Sequence, residues 1–298
     1  TAEGKQRKVD KIKSIELVPN IVKDPGLEYT KEVIAWLCRR DCEVYVADVF
    51  RELLGDDFGV TLKYGQSQSP DVCIVLGGDG SMIRAAKKAA PRGIPLLGIN
   101  LGRIGYLAEL EFDELNLLDG LFDGNYTIEP RFMLNIVLLR TGREPHTTAP
   151  ALNDAVVTHG AVSKLVDIML YCDGRPVTKY RADGLITATP TGSTAYSMSA
   201  GGPIVDPRLD CMCVTPICPH SLYAKPLIFS GDSELEIEDI CSDAVTLYLT
   251  VDGSETYRLN RGDRIRITKS DLTANLIRLN AKSGSYGFYG VLHQKITE

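Results

Sequence analysis

The stretch Asp71-Val72-Cys73-Ile74-Val75-Leu76-Gly77-Gly78-Asp79-Gly80-Ser81 sets one acidic side chain among three glycines where a buried strand gives way to a helix. Val72 to Leu76 is an apolar run with the length of a strand buried on both faces. Ser81 to Ala90, stopped by Pro91, has the pattern of a helix. Glycines between them let an anion approach the backbone, and the helix N-terminus offers free N–H groups and a partial positive charge. The loop is neither G-x-G-x-x-G nor G-x-x-x-x-G-K-[ST], so it is neither the usual dinucleotide fingerprint nor a P-loop. On this loop alone two roles for Asp79 stay open: a helix N-cap, or an acceptor for a hydroxyl or a metal in phosphoryl transfer.

Outward from that loop, strand and helix alternate. Ile12 to Val18 reads as a strand, Leu27 to Arg40 as an amphipathic helix, Glu43 to Val46 and Ile94 to Ile99 as strands. Such alternation predicts a parallel sheet covered by helices. After the acidic, helix-like stretch Asp113 to Phe122 the pattern changes. From Tyr126 onward apolar residues alternate, and Asp173-Gly174, Asp252-Gly253 and Asn260-Arg261-Gly262-Asp263 mark turns between strand-like runs. A β-rich second domain is expected, with the boundary near residue 128.

The chain of 298 residues, 44% hydrophobic and 24% charged, has room for one large or two ordinary domains. A net charge of -6 argues against a broad nucleic-acid or membrane surface, so an anionic ligand must be held locally. No apolar run is long enough to span a bilayer, and the first ten residues resemble neither a signal nor a transit peptide; a cytoplasmic location is expected. The eight cysteines fall in apolar or helical contexts and are expected to be reduced and buried. Cys211, Cys213, Cys218 and His220 lie close together, but they lack a Cys-x-x-Cys knuckle. Cys211 to Val214 reads better as a buried strand than as a zinc site, and no protein-held metal is expected.

Two further stretches carry candidate chemistry. Arg181 to Ser199 contains Asp183-Gly184 and then seven Ser or Thr residues between Thr187 and Ser199, interrupted by Pro190 and Gly192. So many hydroxyls are not expected in a core; they suit a base edge, a ribose or a phosphate, and Tyr196 could stack on a base. The plainer alternative is a polar loop ending in a helix cap. Asn153-Asp154 places an amide beside a carboxylate at the head of an apolar strand, which fits ribose hydroxyls or merely a turn.

Taken together these stretches resemble the NAD kinase family. Gly77-Gly78-Asp79-Gly80 is similar to its GGDG motif, Asn153-Asp154 to its Asn-Glu pair, and Asp183-Gly184 with Thr189 to Ser197 to its DG…TPTGSTAYS signature. Leu97 to Leu107 and Pro216 to Leu222 extend the similarity. The resemblance implies transfer of the terminal phosphate of ATP, or of polyphosphate, to the 2′-hydroxyl of the adenosine ribose of NAD. It implies Asp79 as general base, with Gly80 and Arg84 beside the phosphates and Asn153 and Asp154 at the adenosine end. Lys164, Arg181 and Asp183 would line the dinucleotide site, and Thr194, Ala195, Tyr196, Ser197 and Ser199 would surround the bases. Mg²⁺ would be held mainly by donor phosphates. The implied fold is α/β: an N-terminal Rossmann-like parallel-sheet domain over 1–128 plus 279–298, and a β-rich NAD-binding domain over 129–278, in a homodimer or homotetramer. The Gly/aromatic run Ser283 to Gly290 would pack back on the first domain. Ser81 replaces a frequent Thr and keeps the hydroxyl; Asp154 replaces the usual Glu and shortens that arm by a methylene. The alternatives are a GGDG-type lipid or sugar kinase and a non-catalytic NAD-binding sensor.

Overall fold

The computed structural model describes residues 11–55, 58, 61–103, 105–160, 165–242, 245–282 and 287–297. The chain forms two compact units, Thr1–Pro130 with Ala274–Glu298, and Arg131–Thr273.

The first unit is built on strands β1 (Ser14–Val18), β2 (Glu43–Val46), β3 (Leu62–Tyr64), β4 (Val72–Gly77), β5 (Leu96–Asn100), β6 (Leu110–Glu111), β7 (Tyr126–Arg131) and the late strand β20 (Ala274–Leu279). Their order is β3-β2-β1-β4-β5-β20-β7, with β6 also on β5. The pairings from β3 to β5, and those of β5 with β20 and β6, are parallel. Strand β4 is buried along its whole length, as its unbroken apolar run predicts. Burial also pushes the Cys73 thiol up to about 12, so it stays a protonated filler of the core. The helices are α1 (Glu28–Leu37), α2 (Arg51–Leu54), α3 (Asp79–Ala89), α4 (Asp119–Phe122) and, at the end of the chain, α6 (Phe288–Thr297).

Several expected boundaries move for local reasons. Leu27 is left-handed, with φ 57°, so the first helix starts one residue later than predicted and stops at Leu37. The acidic stretch expected as one helix is a 3-10 segment, Phe112–Leu118, before the single turn of α4. Ala274–Leu279, left by the pattern in the β-rich domain as far as 278, pairs with β5 in the first unit. Its Leu276, Ile277 and Leu279 are buried, an apolar run suited to a covered sheet rather than to an alternating one. In the Gly/aromatic run, 283–286 lie outside the described residues. Phe288 packs on Tyr106 with ring centroids 5.9 Å apart, which ties α6 to the first unit.

The second unit is all antiparallel. One sheet runs β15 (Leu227–Ser230), β14 (Cys211–Ile217), β13 (Gly184–Ala188), β10 (Asp154–His159), β17 (Leu247–Val251), β18 (Glu255–Leu259). The other runs β12 (Arg175–Ala182), β11 (Val166–Cys172), β16 (Leu235–Asp239), β19 (Arg264–Lys269), β8 (Leu134–Leu139), β9 (His146–Thr147). Alternate residues of both sheets, such as Ile168, Ile237 and Ile267 from one and Leu185, Val214 and Leu249 from the other, share one core. The predicted hairpin turns form where Asp173 and Gly174, then Asp252 and Gly253, take positive φ. Strand β14 is buried on both faces, with Met212 and Val214 toward the shared core and Cys211 and Cys213 on the opposite side. Cys218 departs from the expectation of buried thiols: it lies past the end of β14, exposed, at φ 43°.

Candidate functional site

In the first unit, β4 ends at Gly77, whose φ of 148° favours glycine and where a Cβ would sit 2.5 Å from Ser81 Oγ. The chain turns straight into α3, two residues earlier than the pattern predicts. Gly78 is the N-cap and makes no side-chain cap bond, so Asp79 is the first helical residue. Its carboxylate does not cap α3. Both oxygens accept bonds from another loop: Oδ2 from the Tyr106 N–H and Oδ1 from the Leu107 N–H, each at 3.0 Å. The N-cap role left open by the sequence is therefore excluded. Two fixed donors hold the carboxylate in one orientation, as a general base requires.

That loop is itself braced. Gly105 lies so close that a Cβ there would meet Asp79 Oδ1 at 2.1 Å. Asn100, at the end of β5 and 1% exposed, donates through Nδ2 to the Gly102 carbonyl at 2.8 Å and to the Glu111 carboxylate at 2.9 Å. From β20, Arg278 donates to Glu129 at 2.7 Å, to Glu109 at 3.0 Å and to the Leu107 carbonyl at 3.4 Å. The residue whose N–H holds Asp79 is thus fixed on its carbonyl side by a paired guanidinium. Burial, reinforced by the Asp79 charge, pushes the Tyr106 hydroxyl above its ordinary pKa.

Arg278→Met removes the guanidinium that pairs with Glu109 and Glu129. Because the Arg278 side chain is 23% exposed, the expected cost falls below the 3–5 kcal/mol of a fully buried pair, at about 2 kcal/mol at neutral pH. Glu109 already titrates above the ordinary carboxylate value because it is buried, with Arg278 opposing that rise. A raised carboxyl contributes stability below its unfolded pKa and loses it as pH climbs through the folded pKa. Removing Arg278 raises Glu109 further, so the deficit against wild type should narrow on acidification toward the ordinary carboxylate range. Denaturant unfolding of both proteins across that range checks it; a deficit that is constant with pH would refute the role given to Glu109.

Around the start of α3 stand residues that the sequence did not single out. Asn20 donates through Nδ2 to Ser81 Oγ at 2.8 Å, and its Oδ1 accepts from the N–H groups of Val22 and Lys23. Lys23 Nζ would lie 2.9 Å from a Cβ on Gly78 and 3.2 Å from one on Gly102. Of the predicted phosphate contacts, Gly80 is exposed on the first turn, and Arg84 is exposed one turn on, donating to Ser81 Oγ at 3.2 Å.

In the second unit the organising residue is Asp252. From the turn between β17 and β18 its carboxylate accepts the N–H groups of Leu152, Asn153 and Asp154 at 3.0, 2.8 and 3.0 Å. This fixes Asn153 at the head of β10, where its Oδ1 is buried without a partner. An unsatisfied buried acceptor is costly unless a ligand donor meets it. Asp154 is 5% exposed, which places it inside the fold rather than on a surface turn. Asp252→Ala removes the acceptor of three N–H groups. It should lower stability by about 1–3 kcal/mol and free Asn153 from its fixed orientation. Calorimetric unfolding of both proteins checks it; an unchanged melting temperature would show that other groups take over the three N–H donors.

The Ser/Thr-rich stretch corrects one expectation. Thr187, Thr189, Thr191, Ser193 and Ser197 are buried, not surface hydroxyls. Thr189 Oγ1 donates to the Leu152 carbonyl at 2.6 Å and accepts the Gly192 N–H at 3.0 Å. Ser193 donates to the Pro190 carbonyl at 2.7 Å and accepts the Val205 N–H at 3.0 Å. Ser197 bonds Thr215 at 3.1 Å. Thr189 and Ser193 thus replace partners that a bent backbone lacks, while Ser197 pairs with another hydroxyl. What the stretch presents outward are Thr194 and Ala195, half-buried, and, on the short helix α5 (Tyr196–Ser199), the exposed Tyr196 and Ser199. Arg181 is exposed near the end of β12, and its carbonyl accepts the His220 N–H. Asp183 is half-buried, with its N–H on the Ile217 carbonyl. Lys164 lies outside the described residues.

The chain is similar to known proteins along most of its length. The sequence model of the ATP-NAD kinase N-terminal domain matches residues 15–126, and that of the ATP-NAD kinase C-terminal domain matches 152–279. The chain is 41% identical over 289 residues to the NAD kinase of Thermoanaerobacter sp. (strain X514), covering 96% of this chain and 100% of that one. Among solved structures it is similar to yeast NADH kinase complexed with NADH, with a TM-score of 0.84, 26% identity, and coverage of 96% of this chain and 89% of the other. It shares its fold with an NAD kinase from Archaeoglobus fulgidus in complex with ATP, at a TM-score of 0.65 and 24% identity, covering 95% and 98%. The chain belongs to the NAD kinase family.

Proposed function

We propose that this protein is an NAD kinase that phosphorylates the 2′-hydroxyl of the adenosine ribose of NAD to give NADP. The observation that carries the mechanism is the Asp79 carboxylate, set at the first turn of a helix but held by the N–H groups of Tyr106 and Leu107. Asp79 takes the proton of the ribose hydroxyl as its oxygen attacks the donor phosphorus. The helix N-terminus and Arg84 face the phosphates. Asn153 supplies an unpaired acceptor to the adenosine end, and Asp154 takes a ribose hydroxyl. Arg181 and Asp183 line the dinucleotide site. Thr194, Ala195 and Ser199 surround the bases, the buried Ser197 holds their loop through Thr215, and Tyr196, 45% exposed, offers a stacking face.

Mg²⁺ would polarise the donor phosphates and neutralise their charge. Among the described residues no group of three or more His, Cys, Asp or Glu side chains is placed to hold a metal ion. The family argues against the lipid- or sugar-kinase alternative. A cytoplasmic location is part of the proposal; among the described residues no helix is long and apolar enough to cross a membrane. So is assembly as a homodimer or homotetramer, which the exposed Leu222, Tyr223 and Ile228 support.

Incubation with NAD and Mg²⁺, with ATP in one arm and polyphosphate in the other, while NADP is assayed, tests the activity and names the donor. Binding of NAD with no NADP in either arm would establish the non-catalytic sensor instead.

A further inference from the structure

We propose that Lys23 is a second catalytic residue, whose ammonium binds the transferring phosphoryl group opposite Asp79. The proposal rests on the kinase reading above and adds to it a residue from a different part of the chain. Lys23 follows β1 in a turn fixed by Asn20, which accepts the N–H groups of Val22 and Lys23 at 3.1 and 3.2 Å and binds Ser81 on α3 at 2.8 Å. That turn is therefore anchored to the helix that carries Asp79. Its ammonium is set against two glycines, Gly78 at the N-cap of α3 and Gly102 in the loop after β5, where a Cβ would come within 2.9 and 3.2 Å of Nζ.

Among the described residues no carboxylate pairs with Lys23. A cation at a helix N-terminus is set against the positive end of the macrodipole, an arrangement that gains energy only when an anion joins it. A second group at the same spot also awaits a ligand. Asn100 is 1% exposed, and its Nδ2 is committed to Gly102 and Glu111, so its amide orientation is fixed. Its Oδ1 has no partner and lies 3.8 Å from the Cβ position of Gly78. A cation, free helix N–H groups and an unpaired acceptor converge on one glycine. A phosphoryl group satisfies the first two with its oxygens, and the hydroxyl that attacks it, or a water on it, satisfies the third.

In the reaction the ribose oxygen forms its bond to the donor phosphorus while the bond to the bridging oxygen breaks and the donor leaves with that electron pair. The proton of the hydroxyl goes to Asp79. Lys23 transfers no proton; it donates hydrogen bonds to the phosphoryl oxygens, whose charge is most in need of neutralisation in the transition state.

The test uses Lys23→Gln and Lys23→Arg in the full chain. Loss of one preorganised donor to a developing charge costs about 10²–10³-fold in kcat at an enclosed site. Because Lys23 is exposed and screened, the expected loss for Lys23→Gln is about 10- to 100-fold, with NAD affinity unchanged and most of kcat restored in Lys23→Arg. Inorganic triphosphate should raise the melting temperature of wild type and Lys23→Arg but not of Lys23→Gln. Full turnover in Lys23→Gln, or equal losses in both variants with weakened NAD binding, would overturn the proposal. Wild-type protein that makes no NADP would instead sink the kinase reading. Loss of activity in Asp79→Asn beside normal turnover in Lys23→Gln would remove Lys23 alone.

Discussion

Asp79→Asn is expected to bind NAD as wild type does and to form NADP roughly 10²–10⁴-fold more slowly, the usual range for removal of a general base. The amide keeps the size of the side chain, and its oxygen can still accept one of the two N–H bonds from Tyr106 and Leu107. The other bond turns into a clash of donors, which costs some order in the loop but leaves untouched the residues proposed to bind the dinucleotide. Binding and chemistry should therefore separate. An N-cap would forecast otherwise, because Asn caps a helix as well as Asp. Single-turnover NADP formation and NAD titration of the same preparation check it. Near-normal turnover would remove Asp79 as the base, and lost NAD affinity would mean that the carboxylate shapes the fold instead.

The sequence was most legible where the signal is local. The strand Val72–Gly77, the helix after it and the Asp173-Gly174 and Asp252-Gly253 turns all follow from residues next to one another. The family motifs likewise led to Asp79 and Asn153 by short-range spacing. What stayed hidden depends on contacts distant in sequence. Asn20 meets Ser81 across 61 positions, and Arg278 meets the Leu107 carbonyl across 171. No periodicity in either segment announces the partner. Asp252 read as a turn residue, which it is, but its carboxylate also organises Asn153 about a hundred positions away, as the 99 positions between donor and acceptor show. The Ser/Thr stretch misled for a different reason. Composition assigns hydroxyls to the surface, yet a backbone bent by Pro190 and Gly192 leaves N–H and C=O groups unpaired inside, and Thr189 and Ser193 are buried in order to meet such needs, while Ser197 pairs with the Thr215 hydroxyl.

The two units also solve one problem in different ways. Each must hold a side chain with an unspent or reactive oxygen in a fixed direction, and each does so with backbone N–H groups and a carboxylate. In the first unit the proposed base is itself the acceptor, and a loop braced by Arg278 brings the donors to Asp79. In the second, Asp252 gathers the donors, and the reward is the orientation of the neighbouring Asn153 amide. Backbone donors vary little with side-chain substitution, so both sites tolerate changes around them and are vulnerable at the few positions where backbone and carboxylate touch most closely.

Gly105→Ala tests that vulnerability most directly. A methyl group there would lie 2.1 Å from Asp79 Oδ1, 2.7 Å from its carboxyl carbon and 3.0 Å from Oδ2. No pair of atoms tolerates such distances, so something must move. The obstacle is the end of a side chain rather than backbone, which makes displacement of the carboxylate the easiest relief, and the fold should survive with a loss of about 1 kcal/mol or so. Displacement breaks the bonds to Tyr106 and Leu107 and turns the base away from the hydroxyl it must deprotonate. A misplacement of about 1 Å costs roughly 10²-fold in rate, so kcat should fall by about that factor while NAD affinity holds. Turnover, NAD titration and melting temperature of Gly105→Ala, measured together, decide the matter. An active variant would mean that Asp79 works from a position other than the one clamped by the loop. An unfolded one would mean that the loop, not the carboxylate, is the rigid partner.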